Sequence, residues 1–484
     1  MSSSFQFKTT PYEHQSMVFD RIKDERFYAL FCEMGTGKSK MAIDYGCYKA
    51  YTGEIEHIFI IAPKGIYMNW VRKEIPVHCG LNYVVFSNKG RKIEKVAEVG
   101  EKPDVTFYVI NTESFSQAAT ARVMSELINK FGNRALVILD ESTTIKNPKS
   151  NRTKNLLNLT KYTKHRLILS GFSVVNSPLD VYSQMAFLHP GILGFKSFFA
   201  FRNRYAQMQQ VILGNRRFNK VTGYQNLEEL QAKLKPYSIK LKKEDCLDLP
   251  PKTYIEREFE LGKEQKTYYD QMQDMLMVFT SEEDNADPIA EVNNVLAKMI
   301  KLKQLSCGYV QDDEGIIHKI GEKNARLDAL MSALEETSGK VIIWSDLVPA
   351  IEDIYEAIAK EYGANTVAAY YGKTKDSERP ELCAKFQDPD SELRFMIVNP
   401  ATGAWGLTLT ESSTCIYYTN SYNLEHRVQS EDRIHRIGQK SEFVNYIDLV
   451  GKGTLDRKIA KALKEKKNLE KLLMSGDYRQ WLLD

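Results

Sequence analysis

A chain of 484 residues exceeds what one hydrophobic core holds, so two or three domains are required and a lone small binding module is excluded. Hydrophobic residues make up 43% and charged residues 27%, with 15 Pro and 27 Gly, which is ordinary globular composition and excludes a collagenous, linker-like or disordered chain. The 66 Lys and Arg against 63 Asp and Glu leave a net charge of only +3, so bulk charge implies no polyanionic partner and local patches have to carry that argument.

The seven cysteines, at 32, 47, 79, 246, 307, 383 and 415, form no C-x-x-C pair, which argues against a zinc ribbon or knuckle. An odd, scattered set reads as reduced thiols in a reducing compartment. The opening MSSSFQFKTTPYEHQ is too polar for a signal peptide, and apolar runs such as IFIIA are too short to span a bilayer, so we expect a soluble cytoplasmic protein with no membrane partner.

Along the chain, short apolar runs at 27–31, 57–63, 105–111, 135–140 and 166–170 alternate with amphipathic stretches, as a parallel sheet with crossover helices requires. The first run leads into CEMGTGKS, a strand–glycine loop–helix pattern that matches G-x-x-x-x-G-K-[ST] except that Cys32 stands at the first glycine. There Gly35 and Gly37 let backbone N–H groups curl round phosphate, Lys38 reaches the outer phosphates and Ser39 offers its hydroxyl to magnesium. The fourth run, ALVILD, ends in the adjacent acids Asp140 and Glu141; one carboxylate at a strand end can hold magnesium while the next orients or deprotonates the attacking water.

From about 183 to 335 the strand rhythm gives way to what reads as long mixed helices, crossed at DLPPKTYIEREF, where Pro250 and Pro251 forbid helix and favour an extended linker. The spacing therefore predicts a first lobe over 1–250 with a helical protrusion from about 183, a linker at 251–262, a second helical protrusion at 263–335, and a second α/β lobe over 336–484. Strands return at 340–345, 366–372, 394–399, 414–420 and 445–450. In QSEDRIHRIGQK, Arg433 and Arg436 lie three apart, so on a helix both guanidinium groups point to one side; they serve either as transition-state cations for a phosphate site or as a surface ion cluster. The basic tail LDRKIAKALKEKKNLEKLL reads as a helix with a solvated face.

Taken together, the chain resembles the Swi/Snf-type ATP-dependent DNA translocases of helicase superfamily two. EMGTGKS resembles the family's phosphate loop, DEST its D-E-x-H box, and QSEDRIHRIGQ is nearly identical to its arginine motif. TTPYEHQ, IIAPKGIYMNWVRKEI, LILSGFSVVNSPLDVYS, LKPYSIKLKKEDCLDLPPK, VIIWSD and NPATGAWGLTLT are similar in order and spacing, from about residue 9 to 460. The resemblance implies two RecA-like parallel-sheet lobes in tandem with helical protrusions between them, acting as an ATP-hydrolysing motor on double-stranded DNA with magnesium. It assigns Lys38, Asp140, Glu141, Arg433 and Arg436 to catalysis, and Gln15, Met34, Gly35, Thr36, Gly37, Lys38, Ser39, Gly406 and Gln429 to ATP. Ser39 and Asp140 would hold the metal. Lys64, Thr112, Ser345 and Thr408, at or just past strand ends, could grip DNA phosphate or be ordinary turn residues, and Tyr422 sits where the family often sets a tryptophan against a DNA strand. Lys240, Lys242 and Lys243 either contact DNA or solvate a helix.

The departures are as specific. Thr143 stands where the family usually has histidine, SGF replaces T-G-T at 170–172, and Trp405 occupies a glycine or leucine region. We expect a monomeric, nearly bare motor of phage or bacterial type, directed by a DNA-bound protein or a targeting subunit. The alternatives are a strand-separating DNA or RNA helicase and a hydrolytically weak, nucleotide-dependent DNA-binding switch.

Overall fold

The computed structural model describes residues 5–89, 92–171, 177–213, 216–281, 288–312, 314–375, 377–403 and 407–465. The chain divides into two compact units, one of Met1–Val211 with Arg217–Asp248, the other of Leu249–Asp484 with Ile212–Arg216.

The first unit contains β1 (Phe27–Cys32), β2 (His57–Ala62), β3 (Tyr83–Lys89), β4 (Lys92–Val99), β5 (Val105–Asn111), β6 (Ala135–Leu139), β7 (His165–Ser170), β8 (Ala206–Leu213), β9 (Arg216–Tyr224) and β10 (Ser238–Leu241). Eight of these form one sheet in the order β10-β1-β7-β6-β2-β5-β3-β4, parallel except for the β3–β4 hairpin. Alternation along each strand sends side chains to opposite faces. Ile58, Ile60, Phe107, Leu136, Ile138 and Leu167 pack in one core, while Phe59, Ile61, Tyr108, Val137, Leu139 and Ile168 pack in the other. Both faces are thus covered, which is why these strands read as unbroken apolar runs.

The second unit opens with β11 (Lys252–Phe259), followed by β12 (Tyr309–Gln311), β13 (Ile317–Lys319), β14 (Lys340–Trp344), β15 (Val367–Tyr370), β16 (Phe395–Val398), β17 (Ser412–Tyr417) and β18 (Val444–Gly451). Its six-stranded sheet runs β11-β18-β17-β14-β16-β15, all parallel. It too is doubly covered: Val341, Ile343, Phe395 and Ile416 face one core, Ile342, Trp344, Met396 and Tyr446 the other. The expected α/β architecture of two parallel-sheet lobes is the one observed.

The middle of the chain differs from the all-helical expectation. Helices Val181–Leu188, Phe198–Tyr205, Leu227–Leu234, Lys263–Ser281 and Pro288–Ser306 are present, but β8 and β9 pair with each other, as do β12 and β13. Residues 251–262 are extended after the double proline, yet Lys252–Phe259 is a paired edge strand of the second sheet. Its mostly exposed side chains hide it from an apolar-run search. Lys240 lies on β10, at the edge beside β1, and Lys243 starts a short 3₁₀ turn, so neither solvates a helix. Of the basic tail, Asp456–Lys464 is helical and residues 466–484 lie outside the described part. Among the described residues no helix is long and apolar enough to cross a membrane.

His78, packed against the Thr9 hydroxyl at 2.7 Å, has its pKa lowered from 6.5 to about 4 by burial, with Lys40, Lys73 and Lys8 adding to the effect. The unfolded chain therefore takes up this proton first, so the stability it contributes is present above about pH 6.5 and is lost as pH falls towards 4. Because the ring is only half-buried, we expect wild type to lose about 1 kcal/mol more than His78→Gln over that interval, or about 2–4 °C in Tm, measured by thermal unfolding across pH.

Candidate functional site

In the first unit, β1, β2, β5, β6 and β7 are parallel, so their C-terminal ends share one rim, where open α/β sheets place ligands. β1 delivers the glycine loop. Gly35 and Gly37 adopt φ of 84° and 86°, left-handed values that favour glycine, and a Cβ at Gly37 would lie 2.3 Å from the Gln15 amide nitrogen. Thr36 is buried, with its hydroxyl donating to the Glu33 carbonyl at 2.8 Å. Lys38 opens the helix Lys38–Tyr51 and donates to the carbonyls of Cys32 at 2.8 Å and Glu33 at 3.3 Å. Ser39 follows in the first turn, half-buried.

Gln15 is buried, and both ends of its amide are engaged. Its oxygen accepts the Tyr12 N–H at 3.0 Å and its nitrogen donates to the Thr36 carbonyl at 3.2 Å, where the His14 ring also donates at 2.9 Å. The helix Glu13–Ile22 thereby clasps the glycine loop from outside.

β6 ends at the acids. The Asp140 carboxylate is 6% exposed; it accepts the Glu141 N–H at 2.9 Å and the Trp70 indole N–H at 3.0 Å. Burial pushes its pKa up, and the Trp70 bond, the Lys38 charge and the Glu141 N–H oppose that shift. Glu141 takes φ of 46°, left-handed backbone in a non-glycine residue, of the kind that concentrates at functional sites. Thr143 is buried, and the neighbouring Ser142 donates to Gln184 at 2.6 Å, which ties the acid turn to the helix Val181–Leu188. At the end of β7, a Cβ on Gly171 would meet Met34 at 3.1 Å and the Lys38 ammonium at 3.8 Å, so that strand end abuts the loop. Phe172 lies outside the described residues.

Trp70 was not singled out from sequence. It begins a π-helical stretch, Trp70–Glu74, placed just ahead of Pro76, whose missing N–H cannot serve the Arg72 carbonyl. An indole in a motif next to a proline was the available signal; its partner is seventy residues away.

The DNA candidates divide. Lys64 is exposed, and its N–H donates to the Glu113 carboxylate at 2.8 Å, joining the turns after β2 and β5. Thr408 is half-buried. Thr112 and Ser345 are fully buried, unlike open phosphate contacts, although the Thr112 hydroxyl has no hydrogen-bond partner. Tyr422 is likewise inside: its hydroxyl donates to the Met299 carbonyl at 2.9 Å and the Lys303 ammonium lies 4.0 Å above its ring, so the ring is committed to packing.

In the second unit, the helix Leu424–Glu431 ends before the arginines, so they occupy the following turns and not a helix face. The reason is local: the Arg433 side chain donates to the Gln429 carbonyl at 2.8 Å, capping a carbonyl at the helix end. The two guanidinium groups still converge, Arg433 at 2.9 Å and Arg436 at 3.2 Å from the Leu407 carbonyl. Gln429 is fully buried, its side-chain oxygen without a partner. Gly406 and Trp405 lie outside the described residues.

With this geometry in place, comparison with known proteins is decisive. The chain matches the SNF2-related domain over residues 24–309 and the helicase conserved C-terminal domain over 322–438. It belongs to the SNF2-related family. Relatives include the probable ATP-dependent DNA helicase CHR12 of Arabidopsis thaliana, 26% identical across 92% of this chain and 40% of that protein. The TATA-binding protein-associated factor MOT1 of Saccharomyces cerevisiae is 28% identical across 69% of this chain and 20% of its own. The SWI/SNF-related subfamily A-like protein 1 of Xenopus tropicalis is 26% identical across 94% and 44%. The chain thus spans less than half the length of these relatives. Among solved structures, the Sulfolobus solfataricus SWI2/SNF2 ATPase core in complex with dsDNA matches with a TM-score of 0.44 and 23% identity, over 100% of this chain and 97% of that one.

The donors of this SNF2-related site suit a hard cation. Among the described residues no three His, Cys, Asp or Glu cluster to cage a metal, whereas a hydroxyl and one or two carboxylates completed by phosphate and water suit magnesium.

Trp70→Phe should keep the packing but strip a donor from a buried carboxylate. We expect a loss of roughly 1–3 kcal/mol in unfolding free energy, read by urea denaturation.

Proposed function

We propose that this SNF2-related chain is a DNA-dependent ATPase that translocates on double-stranded DNA and remodels protein–DNA or branched DNA structures without separating strands. The observation that carries the reading is the rim of the first sheet, where the glycine loop with Lys38 follows β1 and the buried acid pair follows β6, the two strands that flank β7. Loop N–H groups and the helix N-terminus receive the phosphates, and Lys38 leaves its two carbonyls to neutralise the outer ones. Ser39 and Asp140 would hold magnesium, which would supply positive charge against the phosphates. Glu141 orients the attacking water and accepts its proton. Arg433 and Arg436, as the family's arginine motif, stabilise charge that grows in the transition state.

Support for a phosphate-gripping duplex motor comes from family membership and from the exposed Lys64 beside the β2 and β5 ends. The likeness of relatives named as DNA helicases and remodellers points the same way. Its cargo would be set by a partner or targeting subunit.

Lys38→Ala should weaken ATP binding, whereas Glu141→Gln should bind ATP and lose turnover, as fluorescent-nucleotide titration and steady-state ATPase would register. Arg436→Ala should hold ATP and duplex affinity within a few-fold while duplex-stimulated hydrolysis falls by roughly 10² to 10³, somewhat less than a sole arginine finger because Arg433 covers in part. Arg436→Lys should not restore it, since the planar fork is lost. Unchanged turnover in these variants would refute the site.

On the substrate side, duplex should stimulate ATPase more than single strands. Affinity should fall steeply with salt and show little sequence preference. Triplex displacement should occur without unwinding of a forked duplex, and stimulation by RNA alone would favour the helicase reading instead.

A further inference from the structure

The arginine turn is fastened to the strand that follows the crossing between units. Pro250 and Pro251 lead directly into β11, which pairs along its whole length with β18 at the edge of the second sheet. From β11, Lys252 donates to one oxygen of the Glu431 carboxylate at 3.0 Å and the Tyr254 hydroxyl donates to the same oxygen at 2.8 Å. The other Glu431 oxygen accepts the Arg427 guanidinium at 2.9 Å. Arg427 in turn holds Asp448 of β18 at 2.5 Å and 3.1 Å and Asn420 at 2.7 Å, and lies 3.6 Å from the Tyr417 ring centre. Beyond Glu431, the His435 ring, between the two arginines, donates to the Pro250 carbonyl at 3.0 Å. Val444 N–H donates to the Pro251 carbonyl at the same distance.

These contacts have a direction. Arg427, Glu431 and Asp448 are buried, and Glu431 sits two residues before Arg433 at the helix end. Burial alone would raise the pKa of Glu431, but Lys252 and Arg427 overcome it and hold the carboxyl below its usual range, so it stays an anion. The Lys252 side chain is 28% exposed and Tyr254 39% exposed, and both lie against the buried Tyr446 ring. A bond from an edge strand to the end of a helix cannot be explained by hydrophobic packing, and it fixes where the chain leaves the helix to present Arg433 and Arg436.

We propose that Lys252 and Tyr254 are positioning residues, which through Glu431 set the arginine turn and tie its placement to the strand emerging from the interlobe crossing. This rests on the arginine role proposed above.

The test uses the full chain with five variants: Lys252→Met with Tyr254→Phe, Lys252→Arg with Tyr254 intact, Lys252→Met alone, Tyr254→Phe alone, and Arg436→Ala as reference. Duplex-stimulated kcat, ATP KM, duplex Kd and Tm are measured for each. We expect the double removal to lower kcat about tenfold, because small misplacement of a charge-stabilising group is costly, while KM and Kd stay within about twofold; loss of two donors to the buried Glu431 carboxylate also lowers Tm by a few degrees, so rates are read well below Tm. Lys252→Arg should recover most of the rate. Wild-type turnover in the double variant, with Arg436→Ala inactive, would overturn the proposal; so would a rate loss that disappears when each variant is assayed the same interval below its own Tm, or one that Lys252→Arg fails to repair. Full activity of Arg436→Ala would instead overturn the arginine role itself.

Discussion

A carboxylate withdrawn from water is costly unless its oxygens are occupied, and the first unit is arranged around keeping Asp140 in that condition. Its position at the end of β6 follows from the parallel register, which brings that end beside β2 and β7. The Trp70 indole and the Glu141 N–H each take one oxygen, and Lys38 contributes charge from the loop. Three distant stretches of chain therefore have to be folded before the carboxylate is tolerable. The turn that follows is strained at Glu141 and tied down by Ser142 on Gln184, so the acid pair is held from both sides.

The second unit applies the same rule with cations. Arg326 is fully buried and donates to the Ser306 and Tyr418 carbonyls and to Asp456. It thereby joins the helices Ala325–Glu335 and Asp456–Lys464 to the end of β17. Arg427 does the equivalent for β17, β18 and the arginine turn. Removing one partner from such a pair leaves an uncompensated buried charge, a larger loss than the pair's own contribution. The effect is to specify one arrangement of elements more than to deepen stability.

How much of this was legible in sequence depended on where each residue's partner lies. Central strands such as β2, β6 and β14 were readable because both faces are buried and their residues are apolar throughout. Edge strands β4, β10 and β11 were not: most side chains of β4 and β11 face solvent, β10 is only four residues of mixed polarity, and what makes each a strand is its pairing with a neighbour. Lys38, Ser39 and Asp140 stood out because loop, helix and strand end are consecutive in the chain. Trp70, Lys252 and Tyr254 did not, since their roles exist only through contacts 70, 179 and 177 residues away. The burial of Tyr422 and Thr112 was not legible, because position relative to a strand end says nothing of what packs over it. The arginines were placed on a helix by spacing alone, whereas the Arg433 side chain itself occupies a carbonyl at the helix end and marks where it stops.

The glycine loop shows how shape and readiness can be separated. Its backbone is fixed from outside: two donors from the helix Glu13–Ile22 share the Thr36 carbonyl, and a Cβ at left-handed Gly37 would collide with the Gln15 amide. Little ordering entropy then remains to be lost when phosphate enters. Lys38 is different, because its ammonium already rests on two carbonyls of the same loop. A ligand must offer it more than those neutral acceptors do, and a phosphate oxygen, carrying full negative charge, is such a group. Gln15 faces the same exchange, since both ends of its amide are in use. The loop is therefore formed in advance, and a ligand of Lys38 or Gln15 has to displace the contacts that each already makes.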